Sequence, residues 1–357
     1  MKTLAKVVVG LALSALTLWL FLRNLDPLKV REGLSGASLP LLVASIVVGY
    51  FGHLSLRSMR WATMLRPLKA HVSFYNLFST TAIGYAISWL TPGRLGEVVR
   101  PVLLARREGL SVAGLLGMAA IERILDVATI AVLAAASALA APLWWPEAGA
   151  GRFDVAVPLL GRADLVRVLA GSGAVGLVGC AAGILLLRAL VHEDGRFLAM
   201  VDRRRARPGR AARFWEVVRH LADGASFLRD GRLALRVGLE SVLIWITISF
   251  GIWVGLLAAG VRIPLPGSLL LVALSAIGIS VPTPGGAGTV HFAFQRGLID
   301  LFGIEPNLAS AATVLYHPVI IYIPPVVFGL IFAWRDGLSP RTLRSLAAGG
   351  TGATSRP

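Results

Sequence analysis

Long apolar runs set close together constrain the fold of this chain more than any other feature. Six of them, about 4–21, 38–56, 113–141, 165–190, 236–260 and 308–334, are long enough or nearly so to cross a hydrocarbon layer as helices. Of 357 residues, 56% are hydrophobic and 15% charged, whereas a soluble domain carries about a quarter charged residues. The surplus apolar surface requires lipid. A formal charge of +16 does not make the chain a nucleic-acid binder, because its basic residues lie between apolar runs instead of forming one polar domain. The one cysteine, Cys180, sits inside an apolar run, which excludes an internal disulfide and a cysteine metal cluster. No small-residue cleavage site precedes Arg23, so the first run reads as a retained helix and not as a signal peptide.

Basic loops stay on the cytoplasmic side of a membrane. The stretch Arg196 to Arg236 holds 11 arginines against four acids, and fixing it in the cytoplasm places 25 basic residues on that side against six in the facing loops. Both termini then lie in the cytoplasm. The expected organisation is a transmembrane domain over 1–335, including a basic cytoplasmic loop over 191–235, followed by a short flexible tail over 336–357.

The alternation closes only if 73–108 and 267–303 each return to the side from which they started. The expected fold is therefore an all-α polytopic membrane protein, with six spanning helices and two re-entrant helical hairpins in an inverted-repeat-like arrangement. Irregular backbone at membrane depth must be buried in protein or line a wet cavity, and opposed broken hairpins mark a midplane site. The competing reading is that one or both segments cross completely.

Chemistry concentrates at the hairpins. In the first, Pro92 and Gly93 break the helix and Arg94, Glu97 and Arg100 follow. Arginine beside a freed helix N-terminus makes an anion clamp; the alternative is an interfacial loop whose arginines snorkel toward headgroups. Within the 113–141 run, Glu122 and Asp126 share a helix face and Arg123 lies about 100° around it. Charges in lipid cost several kcal/mol, so these three should face the bundle interior, with Arg94 or Arg100 as the simplest partner; a structural salt-bridge network and a polar substrate path both fit. The second turn brings Gly285, Gly286 and Gly288, whose N–H groups could converge on an anionic oxygen. His291 and Arg296 follow, each readable as a substrate contact or as a structural residue.

Elsewhere simpler readings suffice. Arg57, Arg60, Trp61 and Arg66 after the second span, and Trp144 and Trp145, read as interfacial anchors. Residues 211–228 read as an amphipathic helix with Phe214, Trp215, Val218, Leu221 and Leu228 as apolar anchors, drawn to anionic lipid. His317-Pro318 and Pro324-Pro325 should kink the last span. There is no HExxH or GxSxG motif, and neither a metal nor a cofactor is expected.

The set RSMRW (57–61), PGRLGEVVR (92–100), REG (107–109), ERILD (122–126) and PTPGGAG (282–288), in that order, resembles the flippase-like transmembrane region of lysylphosphatidylglycerol synthases. The resemblance implies movement of polar-headed lipids across the cytoplasmic membrane. It places Arg94, Glu97, Arg100, Glu122, Arg123 and Asp126 on the family's polar first-half motifs, and Gly285, Gly286 and Gly288 on its second-half turn. Members often carry an acidic residue shortly after those glycines; this chain has His291, so their headgroup specificity does not transfer. The 22 residues after Arg335 offer no soluble aminoacyl-transfer domain, and lipid lysinylation is not expected. The leading expectation is a flippase or scramblase-like transporter of an anionic or glycosylated lipid, compatible with a homo-oligomer. The alternatives are a membrane enzyme acting on a phospholipid or polyprenyl-phosphate headgroup, and a non-catalytic membrane partner.

Overall fold

A computed structural model describes residues 2–23, 25–91, 94–145, 154–157, 161–164, 171, 173–179, 181–183, 185, 188, 196–206, 210–281, 283–339 and 342. Its helices are α1 (Lys2–Leu22), α2 (Pro27–Ser35), α3 (Leu39–Leu65), α4 (Phe74–Leu90), α5 (Gly96–Glu108) and α6 (Val112–Leu139). Then come α7 (Gly173–Gly183), α8 (Arg196–Arg205), α9 (Arg210–Gly224), α10 (Gly231–Ala258), α11 (Gly267–Ser280), α12 (Thr289–Phe302) and α13 (Pro306–Arg335). One departure from the all-helical expectation lies between α6 and α7: β1 (Asp154–Val157) pairs antiparallel with β2 (Gly161–Asp164).

Local chemistry sets the boundaries. Ser73, Ser111 and Asp230 cap α4, α6 and α10 by accepting first-turn N–H groups, and Gly109 and Gly303 end α5 and α12 in the left-handed region that favours glycine. Helices α3, α10 and α13 are long and apolar enough to cross a membrane. Joined across an 85° bend, α1 and α2 would make a fourth. The other expected spans are less simple. Helix α6 has 28 residues but carries Glu122, Arg123 and Asp126, and the 165–190 run, of which α7 is a described helix, lies partly outside the described residues.

Two spans depart from regular α geometry. A π-helical stretch interrupts α3 at Val47–Gly52, and another interrupts α13 at Leu315–Tyr322, where Pro318 supplies no N–H to the ladder. Small residues let backbones meet. A Cβ on Gly251 would strike Gly49 where α10 crosses α3, and one on Gly329 would strike Ala82 where α13 crosses α4.

Both broken segments form antiparallel helical hairpins. In the first, Gly96 of α5 sits so close to the Gly84 carbonyl of α4 that a Cβ would collide with it. In the second, Gly278 of α11 lies against Thr289 and Val290 of α12. Their surroundings divide the apolar core. Leu77, Leu104, Leu115 and Met118 pack with Trp61 around the first hairpin, while Leu271, Phe294, Leu298 and Tyr316 belong to a larger cluster around the second.

Candidate functional site

Residues three and four apart on a helix share a face. Helix α3 therefore presents Arg57, Arg60 and Trp61 together, and α6 presents Glu122 and Asp126. These faces meet. Arg57 Nη1 donates to Glu122 Oε1 at 3.0 Å and to Asp126 Oδ2 at 2.8 Å. Arg60 donates to Glu122 Oε1 at 2.7 Å, to Asp126 Oδ1 at 2.9 Å and to Ser241 Oγ of α10 at 2.9 Å. Trp61 Nε1 donates to Glu122 Oε2 at 2.9 Å. From α5, Arg100 donates to the same carboxylate and lays its guanidinium over the Trp61 ring, 4.3 Å from its centroid.

This geometry corrects the expectation for α3. Arg57, Arg60 and Trp61 are not interfacial anchors: they are 4%, 0% and 1% exposed, and the helix expected to end near 56 continues to Leu65. A lone buried charge costs several kcal/mol, and a well-bonded pair repays that only with good geometry. Here each guanidinium finds a carboxylate and each carboxylate finds several donors, so α3, α5, α6 and α10 are tied at one point. Arg66, by contrast, is exposed.

Toward one side the network opens. Arg123 reaches Asp126 at 2.9 Å, Glu122 at 3.6 Å and Glu97 at 3.8 Å, while Arg94 reaches Glu97 at 3.4 Å. Arg94 and Glu97 are partly exposed and line a cavity of about 390 Å³ between the two hairpin tips. The first tip contributes Ser88, Trp89 and Thr91 as well; the second contributes Ser280, Thr283, Gly285 and Gly286, and Arg123 comes from α6. Arg94 holds φ +55°, the one non-glycine residue in the left-handed region among those described, a conformation that surrounding structure must enforce. Pro92 and Gly93, expected to break the helix, lie outside the described residues.

A second cavity of about 250 Å³ adjoins the first and shares Tyr85, Trp89, Arg94, Arg123, Ile279 and Ser280 with it. Its remaining wall is largely apolar, with Ile130, Ile248, Ile252, Val272 and Ile320. Both π-helical stretches reach it, through Gly49 and Tyr50 and through Tyr316 and Ile320.

The expected residues thus divide. Arg94, Glu97, Arg100, Arg123, Gly285 and Gly286 line the polar cavity, and Glu122 and Asp126 hold its base through the arginine network. Arg296 is not brought to the site: it pairs with Asp300 on the exposed face of α12. The glycine turn forms no convergent donor set, because Gly286 N–H donates to the Thr283 carbonyl and Gly288 N–H donates to His291 Nδ1. Gly288 instead packs against Ser14 and Thr17 of α1. The basic loop departs from expectation in part. Phe214 and Val217 are exposed on α9, but Leu228 is buried against the first-hairpin core and Gly224 packs on Met118 of α6. Among the described residues, no three His, Cys, Asp or Glu side chains gather in a way that could hold a metal.

A family model described as the lysylphosphatidylglycerol synthase TM region matches residues 7–329. The glycosyltransferase AglD of Haloferax volcanii is 29% identical over 333 residues, which cover 88% of this chain and 52% of that protein. The chain therefore spans about half the length of the curated relative it matches.

Proposed function

Because this chain belongs to the lysylphosphatidylglycerol synthase TM-region family, we propose that it moves a polar-headed lipid, anionic or glycosylated, across the cytoplasmic membrane as a flippase or scramblase. One observation carries the reading: a cavity of about 390 Å³ between the two hairpin tips, with charged side chains in its wall, opens beside a smaller and more apolar one of about 250 Å³. An amphiphile has those two chemistries. The polar cavity is lined by Arg94, Arg100 and Arg123 against the single carboxylate Glu97, an excess of positive charge that attracts phosphate oxygens. Arg100 is already committed to Glu122 and Arg123 to Asp126, which leaves half-exposed Arg94, paired only with Glu97, as the first headgroup donor.

The hairpins supply the route in this reading, re-entering from opposite faces so that their irregular turns meet inside protein. Both termini and the basic helices α8 and α9 face the cytoplasm, where exposed Phe214 and Val217 beside arginines favour an anionic leaflet. Reconstitution in vesicles of phosphatidylglycerol and phosphatidylethanolamine, with a chemical quencher reporting headgroup exposure, tests transport. Protein-dependent acceleration for an anionic or glycosylated lipid is expected; no acceleration across a broad lipid panel overturns the reading.

The name of the matched relative favours a second reading, glycosyl transfer to a lipid headgroup. Glu122 and Asp126 are saturated by arginines, so Glu97 would be the carboxylate for acid–base work. Lipid turnover by purified protein, abolished by Glu97→Gln with folding intact, would select this chemistry over transport.

A further inference from the structure

The second hairpin turn is held by a bond that exists in only one protonation state of a histidine. Gly288 N–H, at the start of α12, donates to His291 Nδ1 at 3.3 Å. That nitrogen must carry a lone pair, so His291 is neutral with its proton on Nε2. The imidazole is 8% exposed and lies 4.4 Å, centroid to centroid, from the ring of His317 on α13. His317 is 3% exposed, and its Nε2 has no hydrogen-bond partner. This unpartnered nitrogen lies 3.5 Å from the place a Cβ on Gly286 would occupy, directly behind the turn that lines the polar cavity.

We propose that His291, with His317 beside it, is a proton-binding site whose occupation opens the second hairpin turn. A proton on His291 Nδ1 replaces the acceptor by a donor and breaks the bond to Gly288. It also sets a cation at the N-terminus of α12, where the helix dipole opposes it. The His317 ring beside it supplies no negative charge to offset that cation. The closed turn therefore excludes the proton, and by linkage a bound proton favours the open turn.

The surroundings offer no compensating charge. Helix α1 presents Ser14, Thr17 and Phe21, and α4 presents Trp89. Helix α13 adds Tyr322 to His317. On α12 itself Arg296 is committed to Asp300, and Arg94, Glu97 and Arg123 line the far side of the cavity. Among the described residues, no carboxylate or guanidinium bonds to either imidazole. Under the transport reading on which this use rests, the site couples turn opening to a proton.

Hydrogen–deuterium exchange of the 283–291 turn, corrected for intrinsic rate, tests the site on purified protein without any lipid assay. From about pH 6.5, the ordinary value of an imidazole, down to about pH 5, exchange in the wild-type protein should accelerate by up to about tenfold per pH unit, the slope of one linked proton, and above about pH 7 it should be flat. His291→Gln keeps an acceptor for the Gly288 N–H but does not titrate, so its slope should vanish. No acceleration in the wild-type protein, or equal acceleration in His291→Gln, overturns the proposal. In vesicles, lipid movement by the wild-type protein should follow the same pH dependence and that of His291→Gln should not. Movement that ignores pH overturns the coupling, whereas absence of movement overturns the transport reading and leaves the exchange result to decide the proton site.

Discussion

Glu122 receives Arg57, Arg60, Trp61 and Arg100 while fully buried, so each donor's removal should be felt as stability. Arg100→Gln should destabilise the protein by about 3 kcal/mol, in the range for breaking a buried pair. Arg94, half-exposed and bound only at the network's edge, should behave differently. Arg94→Gln should leave thermal stability within about 0.5 kcal/mol yet slow anionic-lipid movement by about tenfold, the equivalent of one charge-assisted hydrogen bond. Arg94→Lys should rescue part of that loss, since it restores charge without the planar donor fork. Unfolding midpoints and lipid movement measured together separate the two arginines; equal destabilisation by both would remove Arg94 from the headgroup site. At the end of α5, burial opposes ionisation of Glu108, but hydrogen bonds from Asn76, Lys69 and the Ser73 N–H prevail and hold its carboxyl below the ordinary range. A carboxyl depressed by folding contributes stability above its unfolded value, near 4.3, and loses it as pH falls further. Thermal unfolding from neutral pH to about pH 3 should accordingly show a smaller acid-side loss in Glu108→Gln than in the wild-type protein.

Two glycines of the first hairpin separate close packing from backbone freedom. Gly96 faces the Gly84 carbonyl with no room for a Cβ, whereas Gly109 ends α5 at φ +68° with nothing within 4 Å of an added Cβ. Gly96→Ala should force α4 and α5 apart, cost about 2 kcal/mol or more as overpacking does, and disturb the cavity those helices frame. Gly109→Ala should cost only about 1 kcal/mol, the penalty of a left-handed alanine, with lipid movement intact. Comparable losses of stability would mean that the two helices are not in backbone contact. The element boundaries were largely legible because capping and helix-breaking are local: the expected broken segments 73–108 and 267–303 open with Phe74–Leu90 and Gly267–Ser280. The extension of α3 through 57–65 was not legible, because a helix bearing two arginines can stay buried only if carboxylates far along the chain await them.

Across the whole molecule, the meeting of the two hairpin tips is the feature that joins the halves, and it can be probed from water. With Cys180 replaced, cysteines at Thr91 and Ser280 should react in intact membranes with small thiol reagents and resist bulky ones, since both positions line the narrow polar cavity. Ready labelling of both by a bulky reagent, from opposite sides of the membrane, would instead place the tips in separate surface loops. The 31 arginines and the long apolar runs determined by sequence alone that this chain is a multi-pass membrane protein. Hydropathy and helix-breaking act over a few turns of chain, and the motif string 57–61, 92–100, 107–109, 122–126 and 282–288 carried the family. Spacing within 122–126 also showed that Glu122 and Asp126 share a face turned inward.

Partner choice was decided only in three dimensions. That Glu122 takes Arg57, Arg60 and Arg100 together, that Arg94 is left at the cavity edge, and that Arg296 turns away to Asp300 depend on residues brought together from distant helices. The RSMRW face carried a usable signal, two arginines and a tryptophan at helical spacing, but the same pattern suits an interfacial anchor equally well. Electrostatic pairing falls off within a few ångströms, so which reading holds is set by where α6 lies against α3, and that placement belongs to the tertiary structure.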